Sequence, residues 1–135
     1  MLPVTWATVR LFLHILGATV WVGGQLTLLG LLPTLRAIGP DAPRLAARRF
    51  NIIAWSAFAL LVVTGVWNLL AVDLGHTTTA YQVTLMVKLT VVAASGVGAA
   101  FHTLSRSRAA LAVGGALGLL GALAAVFFGV LLAGS

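Results

Sequence analysis

Residues 11–25, LFLHILGATVWVGGQ, decide the fold. The stretch is apolar except along one helical face, where His14, Gly17, Ala18, Trp21 and Gln25 continue a line begun by Arg10. A face that is half polar and half small suits the interior of a helical assembly, and the remaining faces suit lipid. Working outward, the apolar run extends over about residues 6–34, past the ~20 residues a helix needs to cross the hydrocarbon core of a bilayer. Three similar runs follow at about residues 50–72, 80–104 and 109–133. Backbone groups in lipid must be satisfied within the segment, so each run is predicted to be a helix. The chain therefore reads as an all-α integral membrane protein, a single antiparallel bundle of four transmembrane helices over residues 1–135.

Composition agrees. The 135 residues are 61% hydrophobic and only 7% charged, against roughly one quarter charged in a soluble domain. No small-residue cleavage site followed by a soluble domain succeeds the first run, so it reads as a retained crossing and not as a removed signal peptide. The net charge of +6 is a matter of topology. Arg36, Arg44, Arg48 and Arg49 lie in or beside the first loop and Arg106 and Arg108 in the third, whereas the second holds only Asp73 and His76. By the positive-inside rule, loops one and three face the cytoplasm, and both termini and loop two lie outside the plasma membrane. That distribution excludes nucleic-acid binding; Arg10 is the one dissenting cation. With no cysteine there is no disulfide or thiolate site, and the only methionines are Met1 and Met86.

The first helix is expected to start at Trp6 and end around Pro33. Thr79 reads as the N-cap of the third helix, with Tyr81 at the outer interface. In the fourth, Gly114 and Gly118 form a small-xxx-small pair suited to close backbone approach, and no chemistry is visible there. Glycine pairs of this kind serve either a second copy of the chain, giving a homo-oligomer, or contacts within one chain.

Ionisable side chains within membrane spans are expensive, ~2.5 kcal/mol or more each, and mark functional sites by default. His14 lies roughly 12 Å inward of Trp6, and Lys88 roughly 10 Å inward of Tyr81. The first and third helices run in the same direction, so the two groups are expected at one depth, with Asn68 slightly shallower on the second helix and Thr64 one turn from it. Lys88, Ser95 and His102 form one stripe, and the stripes of three helices should converge on the interior of the bundle, where such proteins build cofactor sites. His102, about 21 Å further in than Lys88, cannot share one metal ion with His14.

These residues also carry a family resemblance. HILGATVWVGG (14–24), RRF (48–50), the TG within VVTGVWN (62–68) and TAYQVTLMVKL (79–89) together resemble the membrane domain of CopD-type copper resistance proteins, in order and over nearly the whole chain. The combination of a first-helix His and Trp with a third-helix Lys is also similar to HemJ-type protoporphyrinogen oxidases. The first resemblance implies copper uptake or tolerance, and the second a haem-dependent membrane redox protein.

Donor chemistry favours haem b in the outer half of the bundle. A copper path needs several imidazole or soft ligands at successive depths. A haem needs an axial imidazole, room for the macrocycle, aromatic packing and cations for its propionates. The expected roles are His14 as axial ligand and Lys88 as second ligand or propionate partner. Arg10 would pair a propionate, Trp21 would form a packing wall, and Gly17, Ala18 and Gly24 would leave room, with Asn68 at the rim. As metal ligands the candidates are His14, Lys88 and His76. A redox role would make the protein a haem-dependent oxidoreductase fed by quinol or another electron-transfer partner, as no nicotinamide or flavin motif is present. Copper transport and an accessory subunit without cofactor are the alternatives. Each residue also has a plainer reading: His14 bonding a carbonyl or Thr hydroxyl across helices, Lys88 snorkelling outward, His76 solvated, His102 interfacial near Arg48 and Asn51, Trp55 and Trp67 packing, Asp73 ending the second helix, and Gln25 bridging helices.

Overall fold

The computed structural model describes residues 2–135, and these contain helices and turns but no strand. Four helices are each long and apolar enough to cross a membrane: α1 (Trp6–Ile38), α2 (Ala42–Leu70), α3 (Thr79–Leu104) and α4 (Arg108–Ala133). The chain divides into two compact units, Met1–Val72 and Asp73–Ser135, each a pair of antiparallel helices joined by a short turn.

The helix ends follow local chemistry and shift some of the expected boundaries. Thr5 caps α1 by accepting from the Thr8 amide at 3.2 Å. Pro33 does not end α1, which continues to Ile38. A proline removes one N–H, and at the polar edge of a crossing water can satisfy the carbonyl this orphans. Likewise α2 starts at Ala42, eight residues before its apolar run, because Pro43 is well suited to a first turn. Its 29 residues span about 43 Å, more than the ~30 Å hydrocarbon core, so the turns carrying Arg44, Arg48 and Arg49 extend past it. The cap of α3 is Thr78 in place of Thr79, its hydroxyl accepting from the Tyr81 amide at 3.2 Å. Ser107 caps α4 in the same way.

Burial runs opposite to that of a soluble domain. Large apolar side chains such as Phe12, Ile52, Val63, Met86, Leu120 and Phe127 are exposed, and the buried positions are mostly small: Gly17, Ala54, Ala57, Gly98, Gly114, Gly118, Gly121 and Ala122. This is the pattern of an integral membrane protein, in which lipid is as apolar as leucine and helices associate by close backbone contact.

In the first unit, Gly17 rests on α2, where an added Cβ would stand 3.0 Å from Leu61 and 3.1 Å from the Ala57 carbonyl. One turn on, Trp21 is buried against Phe58 (centroids 4.6 Å apart) and edge-on to Trp55 (5.8 Å). Such contacts contribute about 0.5–1.5 kcal/mol each beyond area burial. Phe50 fills the space beside Gly24. Residues Thr19–Gly23 form a π-turn, one residue wider than an α-turn, which loosens the hydrogen-bond ladder. Gln25, expected to bridge helices, instead donates within α1 to the Trp21 carbonyl at 2.9 Å.

In the second unit, α3 and α4 meet through glycine. Ser95, 1% exposed, donates across the pair to the Gly118 carbonyl at 2.7 Å. Interhelical hydrogen bonds in membranes average ~0.6 kcal/mol, so Ser95→Ala should lower the unfolding free energy in detergent by about that amount and leave the helical circular dichroism unchanged.

Candidate functional site

The first unit gathers two polar rungs between α1 and α2. On α1, Arg10 and His14 are one turn apart; on α2, Thr64 and Asn68 are one turn apart. Because the helices are antiparallel, Arg10 meets Asn68 and His14 meets Thr64. The Arg10 Nε–H donates to Asn68 Oδ1 at 2.6 Å, with the guanidinium carbon 6.0 Å from the centre of the Trp67 ring.

His14 Nδ1 lies 2.9 Å from Thr64 Oγ1, and that hydroxyl is also 2.6 Å from the Leu60 carbonyl. Counting protons assigns the roles. A carbonyl only accepts, so the single hydroxyl proton of Thr64 is committed to Leu60, and His14 must donate its Nδ1–H to Thr64. A neutral His14 is then the Nδ1–H tautomer, with its lone pair on Nε2. The ring lies against Gly65 of α2, where an added Cβ would stand at van der Waals distance, 3.4 Å from His14 Cε1. Within the TG of VVTGVWN, Thr64 fixes the imidazole and Gly65 lies beside it. Thr64 is 2% exposed, whereas the His14 ring is only half-buried. This is the bond to a Thr hydroxyl that the plainer reading of His14 anticipated. It occupies one ring nitrogen and orients the other, the usual arrangement of a ligating histidine.

The other candidates have their own surroundings. Gly17 and Trp21 lie within the α1–α2 contact, and Gly24 lies against Phe50, so these residues pack the two helices together. Lys88 belongs to the second unit, where its Nζ lies over Gly129 of α4, 3.3 Å from where a Cβ would be. His76 is exposed and pairs with Asp73 at 2.7 Å, and the other Asp73 oxygen accepts from the Gly75 amide. Asp73 therefore shapes the Leu74–His76 turn after α2 has ended. His102 donates its Nδ1–H to the Leu111 carbonyl at 2.7 Å, which fastens the α3–α4 turn. No group of three or more His, Cys, Asp or Glu side chains that could hold a metal ion occurs among the described residues.

Thr64 as the partner of His14, Gly65 as its neighbour and Asn68 as the partner of Arg10 are pairings that the separate helical stripes do not give. The matching four-residue spacings in the two helices are the signal that could have found them. No protein-family model, curated protein or solved structure matches the chain.

Proposed function

We propose that the protein binds a b-type haem through His14 and serves membrane redox chemistry, as the HemJ-like residues imply. The observation that carries this reading is the Nδ1 bond of His14 to a threonine whose own proton is already committed, because it fixes the tautomer and orientation of the ring as the partners of ligating histidines do. A half-buried ring and a cation one turn outward support it by supplying an imidazole and a charge for a carboxylate, whereas the room expected at Gly17 and Gly24 is taken by Leu61 and Phe50. Gly17 and Trp21 contribute to this site by fixing α1 on α2, not by lining a cavity. When bound, the haem would supply one-electron chemistry. Thr64 holds the imidazole's orientation and tautomer, and Arg10 offers charge to a propionate. Electrons would come from quinol or a partner protein.

Copper passage, implied by the CopD-like residues, is the second reading. It would need further ligands along the path beyond His14, and Lys88 and His76 are the other candidates. A purely structural role is the third. The reduced-minus-oxidised absorption spectrum of the full chain in detergent separates them. A Soret band supports haem. Stoichiometric copper after chelation, without porphyrin, would replace haem by copper, and neither signal would leave a structural role.

The orientation belongs to the same proposal, with the Arg-rich turns at residues 36–49 and 105–108 on the cytoplasmic side. Single cysteines placed at Gly39 and at Gly75 of this cysteine-free chain should differ in labelling by an impermeant maleimide on intact cells. Gly75 should label and Gly39 should not; the reverse result would invert the topology.

A further inference from the structure

The Arg10–Asn68 rung has an electrostatic imbalance. Arg10 is a half-buried cation within a span, and its unit contains one carboxylate, Asp41. Asp41 precedes α2 whereas Asn68 is near the far end of that helix, about 40 Å away along the axis. The chain's other carboxylate, Asp73, is engaged by His76 and the Gly75 amide. Arg10 therefore has no carboxylate partner among the described residues.

Asn68 fixes which donors remain. Its Oδ1 takes the Arg10 Nε–H, which uses the side of the guanidinium and leaves the two Nη groups as a fork at the end. With Oδ1 accepting, the amide nitrogen of Asn68 is a further donor. The Trp67 ring, 39% exposed, limits the swing of the guanidinium. Every atom so presented is a donor, and a fixed guanidinium fork matches the paired oxygens of a carboxylate or phosphate.

The geometry points to an anion site formed by Arg10 and Asn68 that takes the paired oxygens of a carboxylate or phosphate on a membrane amphiphile. Two sources carry that chemistry: a haem carboxylate, which rests on the reading of His14 above, and the phosphate of an anionic phospholipid, which does not.

The test uses the full chain in phosphatidylcholine nanodiscs doped with phosphatidylglycerol. Native mass spectrometry counts retained phosphatidylglycerol, and transfer to apomyoglobin measures haem retention. In Arg10→Gln one of the two ligands should be held on the order of tenfold more weakly. Asn68→Ala should weaken the same ligand by less. Loss of lipid with unchanged haem retention identifies the headgroup. Loss of haem with an unchanged lipid count and unchanged axial spectrum identifies the carboxylate. Arg10→Lys preserves charge without the fork and should fall between wild type and Arg10→Gln, a readout that remains if the glutamine variant fails to fold. Wild-type retention of both ligands in Arg10→Gln, or in Arg10→Lys where Arg10→Gln does not fold, overturns the inference; a Soret band persisting there would leave the His14 reading intact. Absence of a Soret band from every variant would end the haem reading, and the lipid count alone would then decide.

Discussion

His14→Ala is expected to remove the Soret band while the protein keeps its helical content and nearly all of its stability. The two halves of this result have separate causes. Thr64 keeps its 2.6 Å bond to the Leu60 carbonyl without the imidazole, so no hydroxyl proton is stranded by the substitution. The loss includes the interhelical hydrogen bond to Thr64, ~0.6 kcal/mol, and some packing over Gly65. A histidine with only a structural role would give that small cost and nothing else. A coordinating histidine gives the same small cost and total loss of the cofactor signal. Thr64→Val extends the argument, since it retains the ring and its shape but frees the Nδ1–H. It should keep the haem with affinity lowered about 10–100-fold, the usual cost of losing a hydrogen bond behind a ligating histidine, and shift the reduction midpoint. An unchanged spectrum in His14→Ala would remove this assignment.

How much of this could be read in advance depends on whether one helix or two were needed. The four crossings were legible because length and apolar composition are properties of single segments. The face of α1 was legible from Arg10 to Trp21, since Arg10, His14, Gly17 and Trp21 all meet α2. Beyond the π-turn at Thr19–Gly23, Gln25 bonds back to the Trp21 carbonyl four residues earlier, and a sequence does not tell whether an amide in a span bonds its own helix or the next. The small residues Gly17 and Gly24 read as space for a ligand, yet each is filled from the neighbouring helix, by Leu61 and by Phe50. A glycine in a membrane sequence signals close approach without stating what approaches. For Lys88, hydropathy gives a depth along α3 but cannot point to Gly129 as its neighbour, because that fact resides in the α3–α4 register. The rungs are intermediate: both spacings are visible in the sequence, and their pairing follows only once α1 and α2 are antiparallel and aligned.

Gly98→Leu is expected to dismantle the second helix pair, the largest stability effect in the chain. An ideal Cβ at Gly98 would stand 2.5 Å from the Gly118 nitrogen and 2.9 Å from the Gly114 carbonyl oxygen. These are backbone atoms of α4, unable to swing aside as a side-chain tip could. On the facing side, a Cβ at Gly114 would stand 2.7 Å from the His102 nitrogen, and one at Gly121 would stand 2.9 Å from the Val91 carbonyl. The contact is thus glycine against backbone over several turns, and the Ser95–Gly118 bond depends on the same separation. Even Gly98→Ala must push the helices apart, at a cost of about 1–3 kcal/mol or more, and leucine should prevent the pair from closing. Gly30 on α1 is the internal control, since a Cβ there meets nothing within 4 Å. Gly30→Ala should be neutral or gain up to ~1 kcal/mol from helix propensity. Unfolding in a sodium dodecyl sulfate titration, followed by circular dichroism, ranks the three variants. A midpoint for Gly98→Leu equal to that of Gly30→Ala would mean that α3 and α4 are held together by something other than their glycines.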